Sequence, residues 1–154
     1  MTHKQKPDST RRAVPTVLRW LLGAFFIVAG IAHFAVPASF RAQVPAWMPL
    51  PSTVIAVSGA VEIAVGAGLI AARDAQRRRL MGWVAAGLLI VVWVGNISQA
   101  VSAIDGFGLR TDTARWIRVA AQPVLVMWAL WSTDAWRSRP TLMRAQTSSR
   151  SRPD

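Results

Sequence analysis

The sequence predicts an all-α integral membrane protein: a bundle of four membrane-spanning helices, with a proline-rich interfacial loop between the first and the second. Three observations predict it. The 154-residue chain is 53% hydrophobic and 16% charged, and its charges crowd into short segments instead of spreading over a solvated surface, which is a membrane pattern. Four apolar blocks, at 14–34, 52–72, 80–103 and 115–136, each hold about twenty residues or slightly more, enough at roughly 1.5 Å per residue to cross about 30 Å of hydrocarbon. The basic residues, finally, fall at alternate ends of those blocks.

Taken in order, residues 1–13 are polar and basic without any hydrophobic period, so they read as a disordered tail. The first span, 14–34, carries only Arg19 near its start and His33 at its end. A cleaved signal peptide is the rival reading, but its apolar region would run for about 7–15 residues and this one is longer. Between the first two spans, Pro37, Pro45, Pro49 and Pro51 remove backbone donors and bias their predecessors away from helix. The result is a structured loop with a short helical turn around Phe40, held at the interface by Trp47 and Met48.

The second span, 52–72, contains Glu62 near its middle. The segment Arg73-Asp74-Ala75-Gln76-Arg77-Arg78-Arg79 is a basic turn, and the third span, 80–103, follows it with Asn96 and Gln99 near its far end. Asp105, Gly106, Gly108 and Asp112 mark a polar loop. The fourth span, 115–136, begins with Arg115 and Arg118, and residues 137–154 form a Ser/Arg-rich tail expected to be disordered. Most of the eight tryptophans sit at block ends, as interfacial belts do, whereas Trp93 and Trp128 lie deeper.

Charge placement gives the orientation. Four spans put the N-terminal tail, the turn at 73–79 and the C-terminal tail on one side, and these hold most of the basic residues. Both termini are therefore expected in the cytoplasm, in a multi-pass protein of the plasma (inner) membrane. A net charge of +11 invites a nucleic-acid reading, but the Lys and Arg residues line no amphipathic face and no nucleic-acid motif accompanies them, so none is expected as a partner. Cysteine is absent, which excludes disulfides and thiolate chemistry. With two histidines, one of them in the tail, no metal site is expected.

Glu62 is the residue that needs a reason. A charged side chain at the centre of a membrane helix costs roughly 2.5–3.5 kcal/mol, against about 0.3–0.6 returned by each Leu, Ile or Val. Such a group faces a bundle interior and marks a site more often than not. Ser58 shares its face one turn earlier, and Arg118 and Gln122 share a face in the fourth span. With His33, Asn96 and Gln99 at the same depth, these residues outline one polar pocket opening outward. Each has a plainer role beside that one: interfacial side chain for His33, interhelical hydrogen bonds for Asn96 and Gln99, snorkelling for Arg118. For Gln122 it is satisfaction of the carbonyl that Pro123 leaves without a donor. No nucleophile–base spacing is present, so no catalytic residue is assigned.

These residues also form a pattern. Gly23-x-x-Phe26-x-x-Ala29-Gly30-x-x-His33-Phe34-x-x-Pro37-x-x-Phe40, Val44-Pro45, Ser58-Gly59-x-x-Glu62-x-x-x-Gly66, Gly95-Asn96-Ile97 and Arg118 with Gln122-Pro123-x-Leu125 resemble the DoxX-like membrane proteins (the DoxX/DoxD superfamily). The resemblance runs from about Leu18 to Trp131; the stretch from Arg118 to Pro123 lacks the first proline of the family's usual Arg-Leu-Pro-Leu-Gln-Pro. It implies a four-helix protein of the bacterial inner membrane associated with redox enzymes. His33, Glu62, Asn96, Arg118 and Gln122 fall on matching positions, without a catalytic role for any of them.

Three functions fit: a pocket for a quinone-like or other small amphipathic molecule, a scaffold or accessory subunit for a partner enzyme, or a path for a proton or small solute. The expected partners are the lipid bilayer, a membrane redox enzyme and a second copy of the chain.

Overall fold

The computed structural model describes residues 9–137, with side chains from Val14 onward; the two tails expected from the sequence lie mostly outside the described residues. Regular structure among the described residues is helical, apart from one isolated bridge between Gly106 and Leu109. The helices are α1 (Ser9–Ala35), α2 (Pro37–Arg41), α3 (Pro51–Ala71), α4 (Ala75–Val101) and α5 (Asp112–Ser132), followed by a 3₁₀ turn at Ala135–Arg137. Among the described residues, three segments are long and apolar enough to cross a membrane: Val14–Ala35, Pro51–Ala71 and Ala75–Val101.

Several boundaries differ from the sequence reading, each for a local reason. Helix α1 begins at Ser9, within the segment read as tail: Arg11, Arg12 and Ala13 are good helix formers, and the helix runs on through Pro15 although that residue lacks the donor for one bond. Helix α4 begins at Ala75, so most of the basic turn is helical. Asp74 caps it, its carboxylate accepting from the Arg77 backbone N–H at 2.8 Å. Helix α5 stops at Ser132, not at 136: the Thr133 hydroxyl donates to the Ala129 carbonyl at 2.7 Å, and Asp134 turns left-handed at φ 54°, a conformation Asp tolerates.

Helix α1 packs chiefly on α3, and α4 on α5. The α1–α3 contact is a glycine seam. Gly23 and Gly30 are seven residues apart, as are Gly59 and Gly66, so the antiparallel helices pair Gly23 with Gly66 and Gly30 with Gly59. A Cβ on Gly66 would lie 2.5 Å from the Gly23 carbonyl oxygen, and one on Gly30 2.6 Å from that of Gly59. Only backbones without side chains come this close, and close backbone packing is how helices associate where lipid removes the hydrophobic gain.

Below the seam, Leu22, Phe26, Val65, Leu69, Ala85, Leu89 and Ala129 form the core. At the end of α3, the buried Arg19 guanidinium donates to the carbonyls of Leu69 and Ala72, capping a helix terminus that would otherwise leave them unpaired. The Trp128 indole N–H reaches the Leu18 carbonyl at 3.1 Å and ties α5 to α1. Trp93 and Trp128 are half-buried in the bundle while the other six tryptophans are exposed.

Candidate functional site

The antiparallel order brings the end of α1, the first half of α3, the end of α4 and the start of α5 together. His33, Ser58, Glu62, Asn96, Arg118 and Gln122 line one cavity of about 530 Å³ there; Gln99 is buried just behind it. Ligand sites commonly fall between about 300 and 1,000 Å³. The remaining walls are largely apolar, from Phe26 and Ala29 on α1, Ile55 on α3, Leu89 and Val92 on α4 and Leu125 on α5.

Glu62 is 5% exposed. Its Oε2 lies 3.4 Å from His33 Nδ1, but Nδ1 is closer to the Ala29 carbonyl, at 2.9 Å. A carbonyl can only accept, so that contact sets the proton on Nδ1. Oε2 itself has no hydrogen-bond partner. The glycine seam produces this juxtaposition: a Cβ on Gly59 would fall 2.7 Å from His33 Cβ, so the two helices must touch there.

Across the cavity, Arg118 is held by neutral groups. With the Gln43 amide oriented by its partners, Oε1 accepts from Arg118 Nη2 at 2.8 Å and from Nη1 at 3.1 Å. Gln99 Oε1 accepts from Nη1 at 3.4 Å, and Gln99 Nε2 donates to the Ile104 carbonyl at 3.2 Å. The guanidinium also sits over the Phe107 ring, 4.7 Å from its centroid. Phe107 meets Phe40 edge-on at 4.6 Å, and Phe40 lies 3.6 Å from the His33 ring. A stack of His33, Phe40, Phe107 and Arg118 thus spans this end of the bundle. No ion pair joins Arg118 to Glu62 among the described residues.

Gln122 does not serve the carbonyl that Pro123 leaves free in its own helix. Its Nε2 donates to the Leu89 carbonyl of α4 at 3.0 Å. Arg115, one turn before Arg118, turns to the loop instead, pairing with Asp105 at 2.8 Å and Asp112 at 2.7 Å.

The sequence assigned no role to Gln43, Phe40 or Phe107. The only signal for Gln43 is that it is a polar residue, with Ser39 and Arg41, between the prolines of a mostly apolar loop. Phe40 belongs to the motif but reads as an interfacial ring, and Phe107 lies in a glycine-rich loop without periodicity. Among the described residues no group of three or more His, Cys, Asp or Glu could hold a metal. Chemically, the site offers a buried carboxyl group beside an imidazole, at the wall of an apolar chamber.

Comparison with curated proteins and with solved structures finds no match. Residues 22–133, which contain every residue that lines the cavity, match a family described as Domain of unknown function (DUF8561), and the chain belongs to that family.

Proposed function

We propose that this chain is a DoxX-like protein of the bacterial inner membrane whose cavity binds a quinone-like or other small amphipathic molecule, in association with a redox enzyme. In this reading α5 is the fourth span, the loop after α2 lies in the interface, and Arg73, Arg77, Arg78 and Arg79 face the cytoplasm together with both termini. The observation that carries the reading is the Glu62 carboxyl on the cavity wall, beside the His33 imidazole. An acid buried in an apolar wall is costly, and it can donate to a quinone carbonyl when protonated or accept from a quinol hydroxyl when ionised. His33 then stands where a proton could pass between imidazole and carboxylate while the ligand is held.

The test is thermal unfolding of the purified protein with a ubiquinone analogue. A ligand that binds only the folded state at about 100 times its Kd adds about 2.7 kcal/mol. The wild type should be protected and Glu62→Gln should not; equal protection of the two, or none of either, overturns the reading.

A scaffold is the second reading, favoured by the bonds from Gln122 to Leu89 and from Arg118 to Gln43, which hold chain segments together without any ligand. It expects Glu62→Gln to destabilise the bundle and a partner enzyme to copurify in fixed ratio. Permeation ranks third, because the core of Leu22, Phe26, Leu69 and Leu89 is closely packed and apolar.

A further inference from the structure

We propose that the cavity is entered sideways from the bilayer, through the gap between α3 and α4, by a lipid-soluble molecule whose polar head reaches Glu62 and whose apolar tail stays among the lipids. This rests on the reading of the cavity as a ligand site and replaces an opening along the bundle axis.

The axial route is covered. Phe40 is buried between His33 and Phe107, and the Arg118 guanidinium lies over the far side of that stack. The two outer loops are packed on each other, since a Cβ on Gly106 would fall 2.8 Å from Ala42 Cβ. Gly95 lets the Gln43 backbone carbonyl come down onto α4, 2.8 Å from where a Cβ would stand. A water-borne ligand arriving from outside meets this roof. The opposite end is filled by the apolar core.

The side is different. Val91 and Val94 of α4 line the cavity and are also 68% and 52% exposed, and Trp47, on the loop before α3, lines it while 73% exposed. The chamber therefore reaches the molecular surface along α4. Val54 and Met48 complete that rim, and no charged side chain stands in it. Helices α3 and α4 make far less contact with each other than α3 makes with α1. Helices α1 and α5 also touch little, with Phe25 and Ala121 lining and exposed there, but the α3–α4 side has the more exposed rim, of Trp47, Val91 and Val94. An apolar chain crosses such a rim without leaving hydrocarbon, whereas a charged solute would have to enter hydrocarbon first. At about 530 Å³ the chamber suits a ring-sized head, and a long tail is left outside.

The experiment uses the full chain in proteoliposomes. Because the chain has no cysteine, a single Ser58→Cys, one turn from Glu62 and close to isosteric, is the sole thiol. Its labelling by lipid-soluble N-phenylmaleimide is compared with that by a charged trimethylammonium methanethiosulfonate. Both rates are normalised to Ser52→Cys, an exposed position near the start of α3. The apolar reagent should react about a hundredfold faster, the factor set by the cost of carrying a charge into hydrocarbon. Val91→Trp in the same background should remove most of that labelling, and Ala121→Trp, on the α5 wall, should not.

Equal normalised rates would place the entrance in water and overturn the doorway, while ubiquinone protection of the wild type would still support the pocket. Loss of labelling with Ala121→Trp in place of Val91→Trp would overturn this doorway in favour of one beside α5. Should Ser58→Cys fail to fold, Val92→Cys on the opposite wall carries the same comparison.

Discussion

Towards α1, helix α3 presents Gly59 and Gly66 and meets the backbone of its neighbour; towards α4 it presents Ser58, Glu62 and Val54 and stands back from it. One side of the helix is closed by the smallest residue, and the other is held open around the most expensive one. The closed side makes the open side possible. Because α1 and α3 are locked together, the gap on the far side need not collapse, and a carboxylate can face it. A bundle packed equally on every side would have no room for a head group.

The seam should therefore be the most sensitive part of the molecule. Gly59→Leu forces a side chain against the Gly30 carbonyl and His33 Cβ. It should cost about 3 kcal/mol, the upper end of ordinary overpacking, because backbone cannot swing aside as a side chain does. Gly87→Leu is the control, since a Cβ there meets nothing within 4 Å. Thermal unfolding in detergent should show a large fall for the first and almost none for the second. Equal effects would mean that helix propensity, not the seam, dominates.

A smaller loss is expected at the roof. Arg118→Met keeps much of the side chain's bulk and removes both the hydrogen bonds to Gln43 and the contact with Phe107. Relief of a buried charge offsets part of that, leaving a net cost of about 1 kcal/mol. The sharper readout is access: with the roof loosened, the charged thiol reagent should reach a cavity cysteine faster than in the parent. An unchanged rate would show that Phe40 and Phe107 close the outer end unaided.

Much of this was legible in the sequence, and unevenly so. Glu62 stood out because charge inside an apolar run has a known cost, and the shared depth of His33, Asn96, Arg118 and Gln122 followed from counting residues along helices. Periodicity places side chains on faces and at depths, and those two coordinates suffice to bring six residues to one cavity. They do not say what a polar side chain will choose as partner. Gln122, read as a pocket residue or else as a partner for its own helix, lines the cavity and bonds α4; Arg19, passed over as a lone charge near a helix start, caps α3 from another helix. Gln43, Phe40 and Phe107 lie on short or irregular segments, where no period exists to aim them. The glycines stand in the sequence only as members of a pattern, because their pairing depends on the relative sliding of α1 and α3, which neither helix encodes alone.

The bond between Gln122 and Leu89 offers a finer test, on the α4–α5 side of the cavity. Gln122→Leu removes it while keeping similar volume, and interhelical hydrogen bonds in membranes average about 0.6 kcal/mol. A small fall in the unfolding midpoint is expected, with ubiquinone protection retained. Loss of protection without loss of stability would move Gln122 from holding the wall to contacting the ligand.

The smallest effect belongs to the start of α4, outside the apolar part of the bundle, where the open and closed faces no longer matter. The Arg77 backbone N–H bonded to Asp74 is the chief reason that this carboxyl titrates below its ordinary range, and the Arg77 guanidinium adds to it. A depressed pKa in the folded protein means that the cap's contribution is complete above the unfolded value, about 4, and fades as the pH falls through the folded one. The difference in unfolding midpoint between wild type and Asp74→Ala should therefore be present at pH 7 and shrink towards pH 3. Asp74→Asn, whose amide oxygen can still accept from Arg77 but does not titrate, should differ from Asp74→Ala by the same margin at both pH values. If the wild-type margin also proved independent of pH, the cap would be acting as a neutral acceptor and the charge would contribute nothing.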